Sequence, residues 1–125
     1  SRLDSKAGQV LQDLGLEGHY DSIASELTYG DQKMLAMAIC IAGEPSALLL
    51  DEPFSGLDLQ MIERAVKVLR TLRNQGRIVW IIEHNIEALM SVCDSIVVMD
   101  AGQKVTEGEP EVVKGNPWVL ERFIS

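Results

Sequence analysis

Apolar and polar positions alternate along this 125-residue chain in periods that divide it into short helices and strands. From Ser5 to Leu14, the residues Ala7, Val10, Leu11 and Leu14 recur at helical spacing, and Gly15 is placed to end the helix. Gly18 to Ser25 is polar and irregular. Asp31 then reads as the start of a helix whose apolar part is Met34 to Ala42. Gly43, Glu44 and Pro45 break it. Ala47 to Leu50 is too short an apolar run for a helix and suits a buried parallel strand.

A helix is expected from Leu59 to Asn74, with Ile62, Ala65, Val66, Leu69 and Leu72 on one face and Gly76 after its end. Ile78 to Ile82 supplies a second strand, which completes a βαβ unit. Parallel strands with a right-handed crossover bring Asp51, Glu52 and His84 to one sheet edge. Ile86 to Val92 predicts a further helix and Ser95 to Met99 a further strand. AGQKVTEG predicts a turn leading into a short final strand, while Pro110 and Pro117 open two short helices.

Two adjacent carboxylates close the first strand, and like charges side by side repel unless something compensates them. In phosphoryl transfer, an Asp at a strand end holds Mg2+ while a neighbouring carboxylate positions or deprotonates the attacking water. A strand end with two solvated acids and Pro53 as a turn residue is the alternative, and DEP alone does not decide between them. Its context does. FSGLD follows at once, and His84 closes the second strand.

The order of LTYGDQK, ALLLDEP, SGLD and IIEHN resembles that of the ATP-binding subunits of ABC transporters over nearly the entire chain. The resemblance implies a partial RecA-like α/β fold, a parallel sheet with flanking helices. Residues 1–45 would be part of the helical subdomain with the signature, and residues 46–125 the C-terminal part of the nucleotide-binding core. It makes Asp51 the Mg2+ ligand of a Walker B strand, Glu52 the catalytic glutamate, Ser55 to Asp58 the D-loop and His84 the switch histidine. LTYGD would be the signature, with Thr28, Tyr29, Gly30 and Asp31 facing the γ-phosphate of ATP held by a second ATP-binding subunit. Gly30 allows close approach, Thr28 offers a hydroxyl, and the helix N-terminus adds partial positive charge. Asp31 departs from the family, placing a negative charge where a neutral amide stands. As a helix cap, Asp31 needs no ligand. The ending NPWVLERFIS is similar to that of the branched-chain amino-acid group. Membrane permease subunits are the further partners implied, with the chain peripheral to the cytoplasmic face of the membrane.

No GxxxxGK[ST] occurs in these residues, and that Gly-rich loop is what cradles the phosphates. ATP and Mg2+ binding therefore requires the half of the domain that carries it, and the chain by itself is expected to be inactive. In the family, the strand bearing that loop lies beside the switch-histidine strand. The remaining sheet edges predict self-association of the isolated polypeptide. Two alternatives stand beside the ATPase reading: a truncated, non-catalytic binding or regulatory module, and an unrelated α/β interaction domain.

Composition narrows these classes. A net charge of -8 and singly scattered Lys and Arg argue against direct nucleic-acid binding. Cys40 and Cys93 match neither a zinc spacing nor CxxC, and read as small buried hydrophobes in a reducing compartment. No apolar run approaches the roughly 20 residues of a membrane span, which with the unremarkable N-terminal pattern leads to the expectation of a soluble, cytoplasmic chain.

Overall fold

The computed structural model describes residues 5–124. The first four residues and Ser125, which the ranges 1–45 and 46–125 include, lie outside them. Contacts divide the chain into two units, with the division after Glu83. It is an α/β chain with a parallel strand pair and flanking helices.

In the first unit, α1 spans Lys6–Asp13 and is capped by Ser5, whose hydroxyl accepts the Gly8 amide. Two single 3-10 turns, Glu17–His19 and Ala24–Glu26, occupy the polar stretch that follows. The helix α2 covers Tyr29–Ala42 and buries Met34, Met37, Ala38 and Ile41 at helical spacing. It begins before Asp31, because Thr28 is its N-cap and Asp31 lies in its first turn. The expectation that Asp31 starts the helix is corrected accordingly: the Thr28 hydroxyl reaches the orphan amides first.

The strand β1 (Ala47–Asp51) pairs in parallel with β2 (Ile78–Ile82), from Ala47 opposite Ile78 to Asp51 opposite Ile82. Between them runs α3, Leu59–Asn74, burying Ala65, Val66, Leu69 and Leu72 as the periodicity predicts. The buried-strand expectation holds on one face only. Leu48 is buried, but Leu49, Ile78, Trp80 and Ile82 lie on the opposite face of the pleat and are exposed, Leu49 by 76% and Trp80 by 64%. Side chains alternate across a strand, so a helix layer on one side leaves the other apolar row uncovered.

In the second unit, α4 (Ile86–Val92) leads to β3 (Ile96–Asp100), which pairs antiparallel with β4 (Gln103–Gly108). AGQKVTEG is therefore mostly strand. Only Ala101 and Gly102 form the turn, both at positive φ (47° and 78°), as a two-residue hairpin of right-handed twist requires. The helices α5 (Pro110–Lys114) and α6 (Pro117–Val119) begin at the predicted prolines, and a π turn follows at Leu120–Ile124. Trp118 and Phe123 pack with ring centroids 5.9 Å apart.

Cysteine burial is a further correction. Cys40 is exposed and Cys93 half-buried. Cys40 and the exposed Ile39 share the side of α2 opposite its buried row, where helical periodicity turns them outward.

Candidate functional site

Two segments of the first unit carry most of the candidate residues, and each is shaped by short-range hydrogen bonding. At the end of β1, the exposed Asp51 remains in register with Ile82. The next amide, that of Glu52, still donates to the Ile82 carbonyl, at 2.7 Å. Glu52 then turns into the left-handed region at φ 47°. For a residue with a Cβ, this conformation costs about 1–2 kcal/mol unless its surroundings hold it. Several contacts do so. The Glu52 carbonyl accepts the Ser55 amide at 3.3 Å and the Lys33 ammonium at 2.6 Å, while Lys33 also donates to Ser55 Oγ at 2.8 Å.

Pro53 and Phe54 are buried behind the turn, and the Phe54 amide donates to Glu83 Oε1 at 2.9 Å. The chain turns again at Gly56, φ 75°, where a Cβ would collide with the Tyr29 ring. Asp58 is the N-cap of α3, its Oδ1 accepting the Met61 amide at 2.9 Å. That bond accounts for its place without a ligand.

The second segment is the start of α2. Thr28 Oγ1 accepts the Asp31 amide at 3.2 Å and donates its own proton to Asp31 Oδ2 at 2.8 Å. His19 Nε2 lies 3.8 Å from the same carboxylate oxygen. The Asp31 charge is thus engaged by its cap and flanked by an imidazole. Gln32 Nε2 donates to the carbonyls of Ala24, Ser25 and Leu27, which closes the preceding 3-10 turn against the helix start. Gly30 is buried, and a Cβ there would come within 2.8 Å of Met61 Sδ and 3.6 Å of the Gly56 carbonyl.

Structure therefore brings two sequence motifs together: the Thr28–Asp31 turn packs on the loop from Glu52 to Asp58 through Tyr29, Gly30 and Lys33. The motif spacing anticipated both segments but not their contact. Lys33 and Glu83 lie inside the motifs LTYGDQK and IIEHN, but the resemblance assigns them no role; a basic residue soon after a helix start, where the dipole disfavours it, is the signal in the sequence that singles out Lys33. His84 is exposed and opens the second unit, directly before Asn85, which caps α4 by accepting the Ala88 amide at 3.1 Å.

No group of three or more His, Cys, Asp or Glu side chains suited to hold a metal is found among the described residues. Asp51 and Glu52 are nonetheless exposed at the strand end. Mg2+ commonly takes one or two protein carboxylates and completes its shell with water and substrate phosphates, so this pair fits a cation that arrives with a nucleotide.

A parallel strand pair, one strand of which ends in exposed acids, with a capped helix start packed on the loop behind them, places the chain in the α/β class. Residues 2–55 match the family model described as ABC transporter. The high-affinity branched-chain amino acid transport ATP-binding protein LivG of Escherichia coli (strain K12) is 33% identical over 120 residues, covering 95% of this chain and 47% of that protein. The lipopolysaccharide export system ATP-binding protein LptB of Haemophilus influenzae is 30% identical over 95% of this chain and 49% of its own length. A crystal structure of an ATP-binding cassette of an ABC transporter in its ADP conformation superposes with a TM-score of 0.77 at 29% identity, over 96% of this chain and 49% of that one. The chain is thus similar to ATP-binding proteins of ABC transporters, and it spans about half the length of the curated relatives it matches.

Proposed function

We propose that this chain contributes the signature turn, the Walker B strand and the switch histidine to an ATPase that drives solute transport. The observation that carries the reading is the end of β1. A parallel strand delivers Asp51 and Glu52 to an exposed edge, and Glu52 is held in a left-handed conformation there by bonds from two separate segments. Such strain, where the surroundings over-determine it, is typical of functional positions.

In this reading, Asp51 holds Mg2+ and Glu52 orients or deprotonates the attacking water. His84 contacts the γ-phosphate and helps orient that water. The Thr28–Asp31 turn, with Ser55 and Asp58, faces ATP bound by a second ATP-binding subunit. Residues 1–45 belong to the helical, signature-bearing subdomain and residues 46–125 to the nucleotide-binding core. The phosphate cradle comes from a complementary half-domain carrying GxxxxGK[ST]. The uncovered apolar row Leu49, Ile78, Trp80 and Ile82 supports this, since an apolar face of that kind commonly marks an interface. Permease subunits are the membrane partners, and the site of action is the cytoplasmic face of the membrane. Among the described residues, no helix is long and apolar enough to cross it. The cargo is assigned to branched-chain amino acids, on the NPWVLERFIS ending and the similarity to LivG.

ATP hydrolysis is to be measured for the chain alone and after mixing with a half-domain that bears the phosphate loop. The expected result is no activity alone, activity in the mixture, and a loss of about 100-fold or more in kcat with Glu52→Gln. A folded mixture that binds ATP without hydrolysing it would favour a non-catalytic binding or regulatory module.

A further inference from the structure

Lys33, in α2, reaches the loop after β1 by two directed bonds from a single charged group. It stands near the N-terminus of α2, where the helix dipole disfavours a cation. Its ammonium leaves the helix, donates to the Glu52 carbonyl at 2.6 Å and to Ser55 Oγ at 2.8 Å, and lies 5.9 Å from the centre of the Tyr29 ring. The ring in turn abuts Gly56. Bonds from an ionised donor are stronger than those between neutral groups, and both acceptors belong to the turn that sets the direction of Glu52.

We infer that Lys33 is a positioning residue: it fixes the left-handed Glu52 and the Ser55 hydroxyl to the start of α2, so that the signature turn and the catalytic glutamate respond as one body. The tether itself follows from the hydrogen bonds. Its catalytic meaning rests on the proposed function. A nucleotide engaged by Thr28 and Gly30 displaces the same helix start that carries Lys33, and the Lys33 side chain passes the displacement to the Glu52 carbonyl. The signature turn of a chain thereby acts on the hydrolytic glutamate of that chain, which serves a different nucleotide from the one the turn contacts.

Lys33→Met removes both bonds and keeps the stem, whereas Lys33→Arg retains a donor able to reach two acceptors. Amide hydrogen exchange on the chain gives the direct readout. The Ser55 and Leu57 amides should exchange about 10-fold faster in Lys33→Met and near the original rate in Lys33→Arg, with α3 unchanged. Ser55→Ala, which loses one of the two bonds, should give a smaller rise in the same amides and serves as the readout where Lys33→Met does not fold. Unchanged loop exchange in Lys33→Met, or in Ser55→Ala when that variant stands in, overturns the tether.

In the mixture with the phosphate-loop half, Lys33→Met should lower kcat about 10-fold at constant KM for ATP, and Lys33→Arg should restore it. Faster exchange with an unaltered kcat overturns the catalytic part while leaving the tether. A mixture inactive with unmodified chain counts against the proposed function instead, and the exchange data still decide the tether.

Discussion

The Glu83 carboxylate accepts the Phe54 amide at 2.9 Å, so the residue just beyond β2 holds the loop that follows β1. Phe54 is 3% exposed, and its amide has no easy recourse to water. Glu83→Ala should therefore destabilise the chain by about 1–3 kcal/mol, the penalty of an unsatisfied buried donor, while Glu83→Gln, which keeps an acceptor oxygen, should lose less. Urea denaturation followed by circular dichroism measures both. Equal losses would mean that the charge, and not the acceptor, matters.

Thr28 and Asp31 bind each other across the first turn of α2. Thr28→Ala removes the acceptor of the Asp31 amide and should cost about 1 kcal/mol, with Thr28→Ser nearly neutral. For a chain of this size that loss corresponds to a fall in Tm of about 4 °C in a thermal melt. An unchanged Tm in Thr28→Ala would show that the cap contributes nothing to the fold.

Gly56 combines a positive φ with the Tyr29 ring against its Cα. Gly56→Ala should cost about 1–3 kcal/mol, from backbone strain and the clash together. In a Tyr29→Ala background the clash disappears, and the remaining cost should fall to about 1 kcal/mol. Strict additivity of the two substitutions would argue that ring and glycine do not meet.

The exposed row on the β1–β2 pair makes a colloidal prediction. Trp80→Thr exchanges an aromatic strand former for a β-branched one while removing the largest apolar surface of the row, and it should shift the isolated chain toward monomer. Size-exclusion chromatography with light scattering over a range of concentrations reads the change. A chain already monomeric at high concentration would remove this face as a cause of association.

Acid sensitivity has one identifiable contributor at the end of α2. The Lys6 ammonium, by hydrogen bond and by charge, holds the Glu44 carboxyl below its ordinary value of 4.5, with a smaller contribution from Arg77. A depressed carboxyl stabilises the fold above its unfolded value, and that contribution is lost as the pH falls through the folded one. Glu44→Gln should accordingly flatten the stability profile below about pH 4.5 and leave the fold intact at neutral pH. Denaturation midpoints compared at pH 3.5 and pH 7 test it, and an identical acid slope in the variant would exclude the pair as a contributor.

Local pattern alone determined much of the architecture. The apolar face of α3, the bounds of β2 and α4, and the starts of α5 and α6 at Pro110 and Pro117 could all be read from period and proline position. These features depend on neighbours a few residues apart. The candidate motifs were legible for the same reason, since LTYGDQK and ALLLDEP are contiguous.

Tertiary structure decided what lies between them. Whether Asp31 starts α2 or sits within it turned on which side-chain oxygen took up a free amide of the first turn, and the Thr28 hydroxyl accepts that of Asp31. The exposure of Leu49 and Trp80 depended on which face of the strand pair found a helix. The packing of the Thr28–Asp31 turn on the Glu52 loop and the start of α3 rests on contacts of Lys33, Tyr29 and Met61 that no spacing in the sequence reveals. A hydrogen bond between residues 19 positions apart has no periodic trace in the sequence, because only the folded chain brings its donor and acceptor within reach.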